Sequence, residues 1–306
     1  MTPPETQVKQ YDGTSIARAA ELVLAGQPVA VPTETVYGLA ADATSADAVA
    51  RIYAAKGRPS FNPLIVHVPD LAAAEQLGVF DSEARALAEA YWPGPLTIVV
   101  PARADNGIAA IVTAGLGTIA LRVPAHPAMQ ALLAATDRPL AAPSANASGR
   151  ISPTRAEHVL ASLDGRIALV IDGGATDRGI ESTIVAVTGG GIRLLRRGPI
   201  EIDAPLTRGG IEAPGMMASH YAPIKPLRLD ASEARDGEYL IGFGAIPGDV
   251  SLSETGDPVK AAARLFDLLH LADAAPHGRI AVAPIPGSGL AAAIRDRLER
   301  AAAPRA

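Results

Sequence analysis

Apolar positions along this chain fall into two alternating patterns. In the first two-thirds, short runs rich in Val, Ile and Leu at 28–31, 64–68, 96–100, 118–123, 167–171, 182–187 and 192–195 are bounded by Gly, Pro and polar residues and read as strands. Helical spacing fills several of the gaps. Residues 45–56 carry Ala46, Val49, Ile52 and Tyr53 on one face, with Ser45 where an N-cap belongs and Gly57 where a C-cap belongs. The alternation predicts an α/β or α+β fold with a sheet of mixed direction. The glycine run 189–191 predicts a hairpin turn.

Between 207 and 225 the periodicity stops, and the stretch offers glycines, prolines, two methionines and the pair His220-Tyr221. That is long for a structureless loop in a compact domain, so it reads as both a linker and a cover. Beyond it, strand patterns at 238–243 and 279–284 and helical patterns at 258–272 and 288–302 make a smaller α/β unit. The predicted division is 1–206, a linker or lid at 207–225, and 226–306.

Composition narrows the function classes. Of the 306 residues 48% are apolar, enough to bury a core in each unit, and only 4% are aromatic, so the cores must be aliphatic. A formal charge of −5 argues against a protein coated in nucleic acid, and any polyanion partner would need a local patch. The absence of cysteine removes disulfides, thiolate metal sites and thiol nucleophiles. Residues 1–13 lack the basic start and apolar stretch of a secretion signal, and no run of about 20 apolar residues occurs. The expectation is a cytoplasmic protein with no membrane partner.

Candidate chemistry begins where helix 45–56 ends. Lys56 and Arg58 stand two positions apart there, and the loop PSANASG at 143–149 follows another short apolar run. Lys56, Arg58, Ser144 and Asn146 are thereby within reach of one site, as an anion clamp requires. Each also has an ordinary reading: a lysine in a last helical turn complements the dipole, and Ser and Asn cap turns. Arg122 closes a mostly apolar run, where its charge demands a carboxylate partner. No G-x-x-x-x-G-K-[ST] loop occurs, no G-x-G-x-x-G follows a strand, and the six histidines lack ligand spacing. Glu34, Asp42, Asp172 and Glu181 show no metal-loop spacing, so metal ligands stay unassigned.

Nine blocks then occur in order: PTETVYGLAADA (32–43), KGRPSFNPLIVHV (56–68), WPGPLT (92–97), TIALRVPAHP (118–127), AAPSANASG (141–149), IDGG (171–174), ESTIV (181–185), RRGP (196–199) and PGMMASHYAP (214–223). In this order and spacing the chain resembles the threonylcarbamoyl-AMP synthase family. The resemblance implies a YrdC-like α/β domain, a twisted, mixed, open sheet around a deep concave pocket, followed by a small C-terminal Rossmann-like α/β domain. It implies that L-threonine, bicarbonate or CO2, and ATP are condensed to threonylcarbamoyl-AMP and pyrophosphate. A separate tRNA threonylcarbamoyl transferase complex would then modify the adenosine next to the anticodon, and a weak contact with tRNA itself is implied.

By the same resemblance, Arg58, Asn62, Thr118, Ser144, Ser152, Arg196 and Tyr221 are ATP-binding candidates, with Arg197 beside Arg196. Thr35, His67, Arg122, Ser182 and, through backbone atoms, Ala142 are threonine-binding candidates. His220 and Tyr221 would belong to a lid, although Met217, Ala218 and Ser219 stand where some members carry basic residues. Mg2+ is implied only as the companion of ATP. A site of this kind needs cations, orientation and dryness more than a nucleophile, because the carbamate and the mixed anhydride are both lost to water. A non-catalytic module for structured RNA is the alternative of a different class. A carbamoyl-transfer domain of larger hydrogenase-maturation proteins would bring zinc-finger cysteines, which this chain lacks.

Overall fold

The computed structural model describes residues 5–207, 212–215 and 219–304. Chain order in the first part is β1 (Gln7–Gln10), α1 (Gly13–Leu24), β2 (Val29–Pro32), β3 (Tyr37–Asp42), α2 (Ala46–Lys56), β4 (Ile65–His67), α3 (Leu71–Leu77) and α4 (Ser82–Tyr91). It continues with β5 (Leu96–Pro101), α5 (Ala110–Thr113), β6 (Thr118–Arg122), α6 (Pro127–Thr136), β7 (Leu140–Ala141), α7 (Ala156–Leu163), β8 (Leu169–Asp172), β9 (Thr183–Val187) and β10 (Ile192–Arg196). The C-terminal unit holds β11 (Leu227–Arg228), β12 (Glu238–Gly242), β13 (Val250–Ser251), α8 (Pro258–Ala274), β14 (Arg279–Val282) and α9 (Leu290–Ala302).

The first ten strands form one sheet in the order β1-β8-β2-β3-β7-β4-β6-β5-β9-β10. Its direction is mixed: β4 runs parallel to β6 and β5 to β9, while β2 with β3, β5 with β6 and β9 with β10 are antiparallel. Helices cover both faces, with α1 and α6 packing one aliphatic layer and α2, α4 and α7 contributing to the other. The C-terminal sheet, β11-β14-β12-β13, is parallel throughout.

Local chemistry explains the ends that matter for the site. Ser45 Oγ accepts from the Ala48 amide to start α2, and Gly57 stops it in a left-handed conformation at φ 59°, which costs glycine nothing. The stop releases the chain at Lys56 and Arg58, as the sequence predicts. Gly189, Gly190 and Gly191 all take positive φ in the β9–β10 turn. Five strands escape the sequence reading: β1, whose four residues are all exposed, the central β3, and the two-residue β7, β11 and β13.

A shared core joins the two units. Val36, Ile151 and Ile180 of the first part pack in the same apolar cluster as Phe266, Leu265 and Ile294 of the C-terminal unit. At Gly179 an added Cβ would lie 2.3 Å from the Ala262 carbonyl oxygen, so that loop rests on the backbone of α8. On the seam His158 of α7 stacks on His270 of α8, ring centroids 3.9 Å apart and 13° from parallel, beside the Arg155–Asp267 ion pair at 2.8 Å.

Candidate active site

The sheet brings its strand ends together at one cavity. Parallel pairing of β4 with β6 sets His67 opposite Arg122, and both side chains reach the cavity wall. Thr35 and Val36, in the turn from β2 to β3, form a second wall, and Ala142, Pro143 and Ser144 just past β7 form a third. Glu181 and Ser182 before β9, Arg196 at the end of β10, and Arg58 complete the rim. The cover is the linker, through Pro214, Gly215, His220 and Tyr221. A side chain at Gly215 would collide with Tyr221, since its Cβ would lie 2.8 Å from the phenol oxygen, so glycine there lets the ring seat.

Arg122 finds its carboxylate inside the protein. Its Nη2 donates to Glu34 Oε1 at 2.6 Å and to Thr35 Oγ1 at 3.1 Å. Burial alone would raise the pKa of Glu34, but the charge and hydrogen bond of Arg122 outweigh it and hold the carboxyl below its ordinary value. Burial, then the Arg122 charge, push His67 down to about 3, so its ring is neutral. His67 Nδ1 is buried and has no hydrogen-bond partner among the described residues.

The cations are held rigidly. Arg196 donates from Nε to the Ser182 carbonyl at 3.0 Å, from Nη2 to Ser182 Oγ at 3.1 Å, and from Nη1 to the Pro214 carbonyl of the linker at 3.2 Å. Arg58 donates from Nη2 to the Pro63 carbonyl at 2.9 Å and from Nε to the Asn62 carbonyl at 3.3 Å. Burial brings Arg58 down to about 10, a smaller margin than an arginine usually keeps. His220 is driven well below its ordinary value by burial and then by Arg58, Lys56, Arg196 and Arg297, four cations around one imidazole.

Five of the candidates stand off the cavity wall. Lys56 does not point into the cavity: its ammonium donates to the backbone carbonyls of Ser144 and Asn146, while its own carbonyl accepts from Ser148 N at 2.8 Å. A buried ammonium needs acceptors, and the nearest lie in that turn. Asn146 is buried behind the same turn, its amide donating to the carbonyls of Ala147 and Arg150. Asn62 accepts on its carbonyl from Tyr53 and Arg58. Ser152 donates to Glu181 Oε1 and so reaches the site at one remove. Thr118 opens β6 opposite Pro101, about 13 Å along the strand from Arg122. Met217 and Ala218 lie outside the described residues.

The cavity itself is small. In this conformation it holds about 40 Å³, room for a few waters. Sites for drug-sized ligands run to roughly 300–1,000 Å³, so the expected deep hollow is occupied by its own cover. Two acids unassigned by the sequence prove central: Glu34, partner of Arg122, and Glu181, whose carboxylate pairs with the fully buried Arg297 of α9 at 3.1 Å. Nothing in the sequence marks Arg297, one charge among several on an amphipathic helix.

Comparison with known proteins decides the relationship. A family model described as "Telomere recombination" matches residues 21–198, and one described as "Threonylcarbamoyl-AMP synthase, C-terminal domain" matches residues 180–303. A threonylcarbamoyl-AMP synthase of Bacillus subtilis is 40% identical over 95% of this chain and 93% of its own length. The chain belongs to the threonylcarbamoyl-AMP synthase family. It is thus an enzyme of the AMP-transferring, nucleotidyltransferase type. A synthase of Pyrococcus abyssi is 38% identical over 92% of each chain. The crystal structure of P. abyssi Sua5 complexed with L-threonine superposes with a TM-score of 0.84, at 33% identity, covering 97% of both chains. The family's two-part fold is therefore that of this chain. No helix among the described residues is long and apolar enough to cross a membrane.

Proposed function

We propose that this chain condenses L-threonine, bicarbonate or CO2, and ATP to threonylcarbamoyl-AMP and pyrophosphate, the intermediate from which a tRNA threonylcarbamoyl transferase complex modifies the adenosine beside the anticodon. The observation that carries the reading is the convergence of Arg58, Arg122 and Arg196 on one cavity at the strand ends. The division of labour follows their surroundings. Arg122, with Thr35 and the neutral His67 beside it, receives the threonine carboxylate, and Ser182 and the backbone of Ala142 bound the same pocket. Arg58, Arg196 and the Ser144 turn face the triphosphate, with Tyr221 over the nucleotide.

The chemistry asked of these groups is modest. The carbamate oxygen must meet the α-phosphorus in line with the departing pyrophosphate, and fixed guanidinium groups stabilise the charge that develops there. Mg2+ supplies further charge neutralisation when it arrives with the triphosphate. Among the described residues no cluster of three His, Asp or Glu offers it a protein cage, and the acids nearest the cavity are already paired with arginines, which fits a metal carried by its nucleotide. His220 and Tyr221 sit where the cations converge, so the segment 207–225 is a lid that must lift for ATP to enter. In this reading residues 1–206 are the catalytic domain and residues 226–306 the C-terminal domain.

The test is incubation with ATP, bicarbonate and threonine while pyrophosphate is followed. Release that requires all three substrates, and falls when serine replaces threonine, is the expected result. ATP left intact, with salt-sensitive binding of structured RNA, would instead support a non-catalytic RNA module.

A further inference from the structure

We propose that Arg297, on α9 of the C-terminal unit, is a positioning residue of the candidate active site: it reaches across the seam to neutralise Glu181 and to seat Tyr221. The side chain is wholly buried, on the same face of α9 as Ile294, Leu298 and Ala301. A guanidinium survives there only with partners. Its Nε lies 3.1 Å from Glu181 Oε2, its Nη1 3.1 Å from Asp296 Oδ2, and its Cζ 5.5 Å from the centre of the Tyr221 ring. Burial would lower its pKa, but Tyr221, Glu181 and Asp296 reverse that and keep it charged.

Both of its pocket contacts are under tension without it. Among the described residues lining the cavity, Glu181 is the one acid and stands with Arg58, Arg122 and Arg196, and its second oxygen already accepts from Ser152. Left unpaired, its charge would oppose any triphosphate beside it. Tyr221 holds φ at 64°, a left-handed backbone that is costly for a bulky residue, and its ring lies against His220 at 4.1 Å, Phe266 at 5.5 Å and the Arg297 guanidinium at 5.5 Å. Arg297 cancels the one charge and holds the other side chain in its strained seat. The C-terminal unit thereby supplies part of the site.

This inference rests on the synthase reading, and the test separates the two. In the full chain, Arg297→Met, Glu181→Gln and the double variant are compared by KM for ATP, kcat for pyrophosphate release and calorimetric affinity for ATP with Mg2+. Arg297→Met is expected to raise KM and weaken ATP binding about tenfold or more, because it leaves Glu181 buried and charged. Adding Glu181→Gln is expected to recover the part of the loss that comes from the buried charge, leaving the part that comes from the unseated Tyr221. An Arg297→Met enzyme with unchanged ATP affinity, or a double variant as impaired as Arg297→Met, overturns the proposal. Should Arg297→Met fail to fold, Arg297→Gln, which removes the charge but keeps a hydrogen-bond donor for Glu181, takes its place in the cycle with the same expectations. A wild-type chain that binds ATP without releasing pyrophosphate counts against the synthase reading alone, and the cycle is then read from the affinities. A wild-type chain that binds no ATP overturns both.

Discussion

Lys56 shows how the sequence can place a residue without revealing its contacts. Its place at the end of α2, two residues before Arg58, is legible from the helix pattern and the Gly57 stop. What the sequence could not reveal is that the ammonium is satisfied by two carbonyls of the 144–146 turn. Lys56→Met leaves those acceptors unpaired in a buried setting, so it is expected to lower stability by about 1–3 kcal/mol, measured by urea unfolding, and to slow catalysis through the displaced Ser144. Unchanged stability would mean that the ammonium leaves the turn in solution. Arg58→Ala acts on the cavity wall itself, and is expected to slow pyrophosphate release about tenfold or more. Arg122 was legible as a charge in need of a carboxylate, but its partner Glu34 was not, since 88 residues separate them. Contacts of that range leave no local pattern.

At the scale of elements, the aliphatic runs were sufficient to find β2, β4, β5, β6, β8, β9 and β10 of the large sheet. Polar β1 at the sheet edge, and β7 with two residues, carry too little pattern to register, while β3 has Leu39 as its one large aliphatic residue and no Val or Ile. The seam between α7 and α8 carries its own prediction. Burial depresses both stacked histidines, His158 and His270, to about 4, so they are neutral when folded and can protonate near 6.5 when unfolded. The unfolded chain therefore binds more protons between these values, and the stability contributed by the neutral pair, complete above pH 6.5, is lost as pH falls toward 4. Melting temperature should drop across that window, and His158→Gln should flatten the slope. A melting profile with the same slope in wild type and variant would discount the stacked pair.

The molecule as a whole has an enzyme whose second unit is built into the first. A chain ending at residue 206 would expose Val36, Ile151 and Ile180 and lose the linker's hold on Arg196. It is expected to melt at a lower temperature and to lose most pyrophosphate release, and a truncated chain of full activity would show that the lid and C-terminal unit are dispensable. The same closure bears on how fast substrate is captured. With space in the cavity for a few waters only, the proposed function requires that Pro214, Gly215, His220 and Tyr221 be displaced before ATP binds. In stopped-flow mixing the observed rate of ATP uptake would then climb with concentration and level off at the frequency of spontaneous opening. Weakening the carbonyl anchor on Arg196 would lift that plateau.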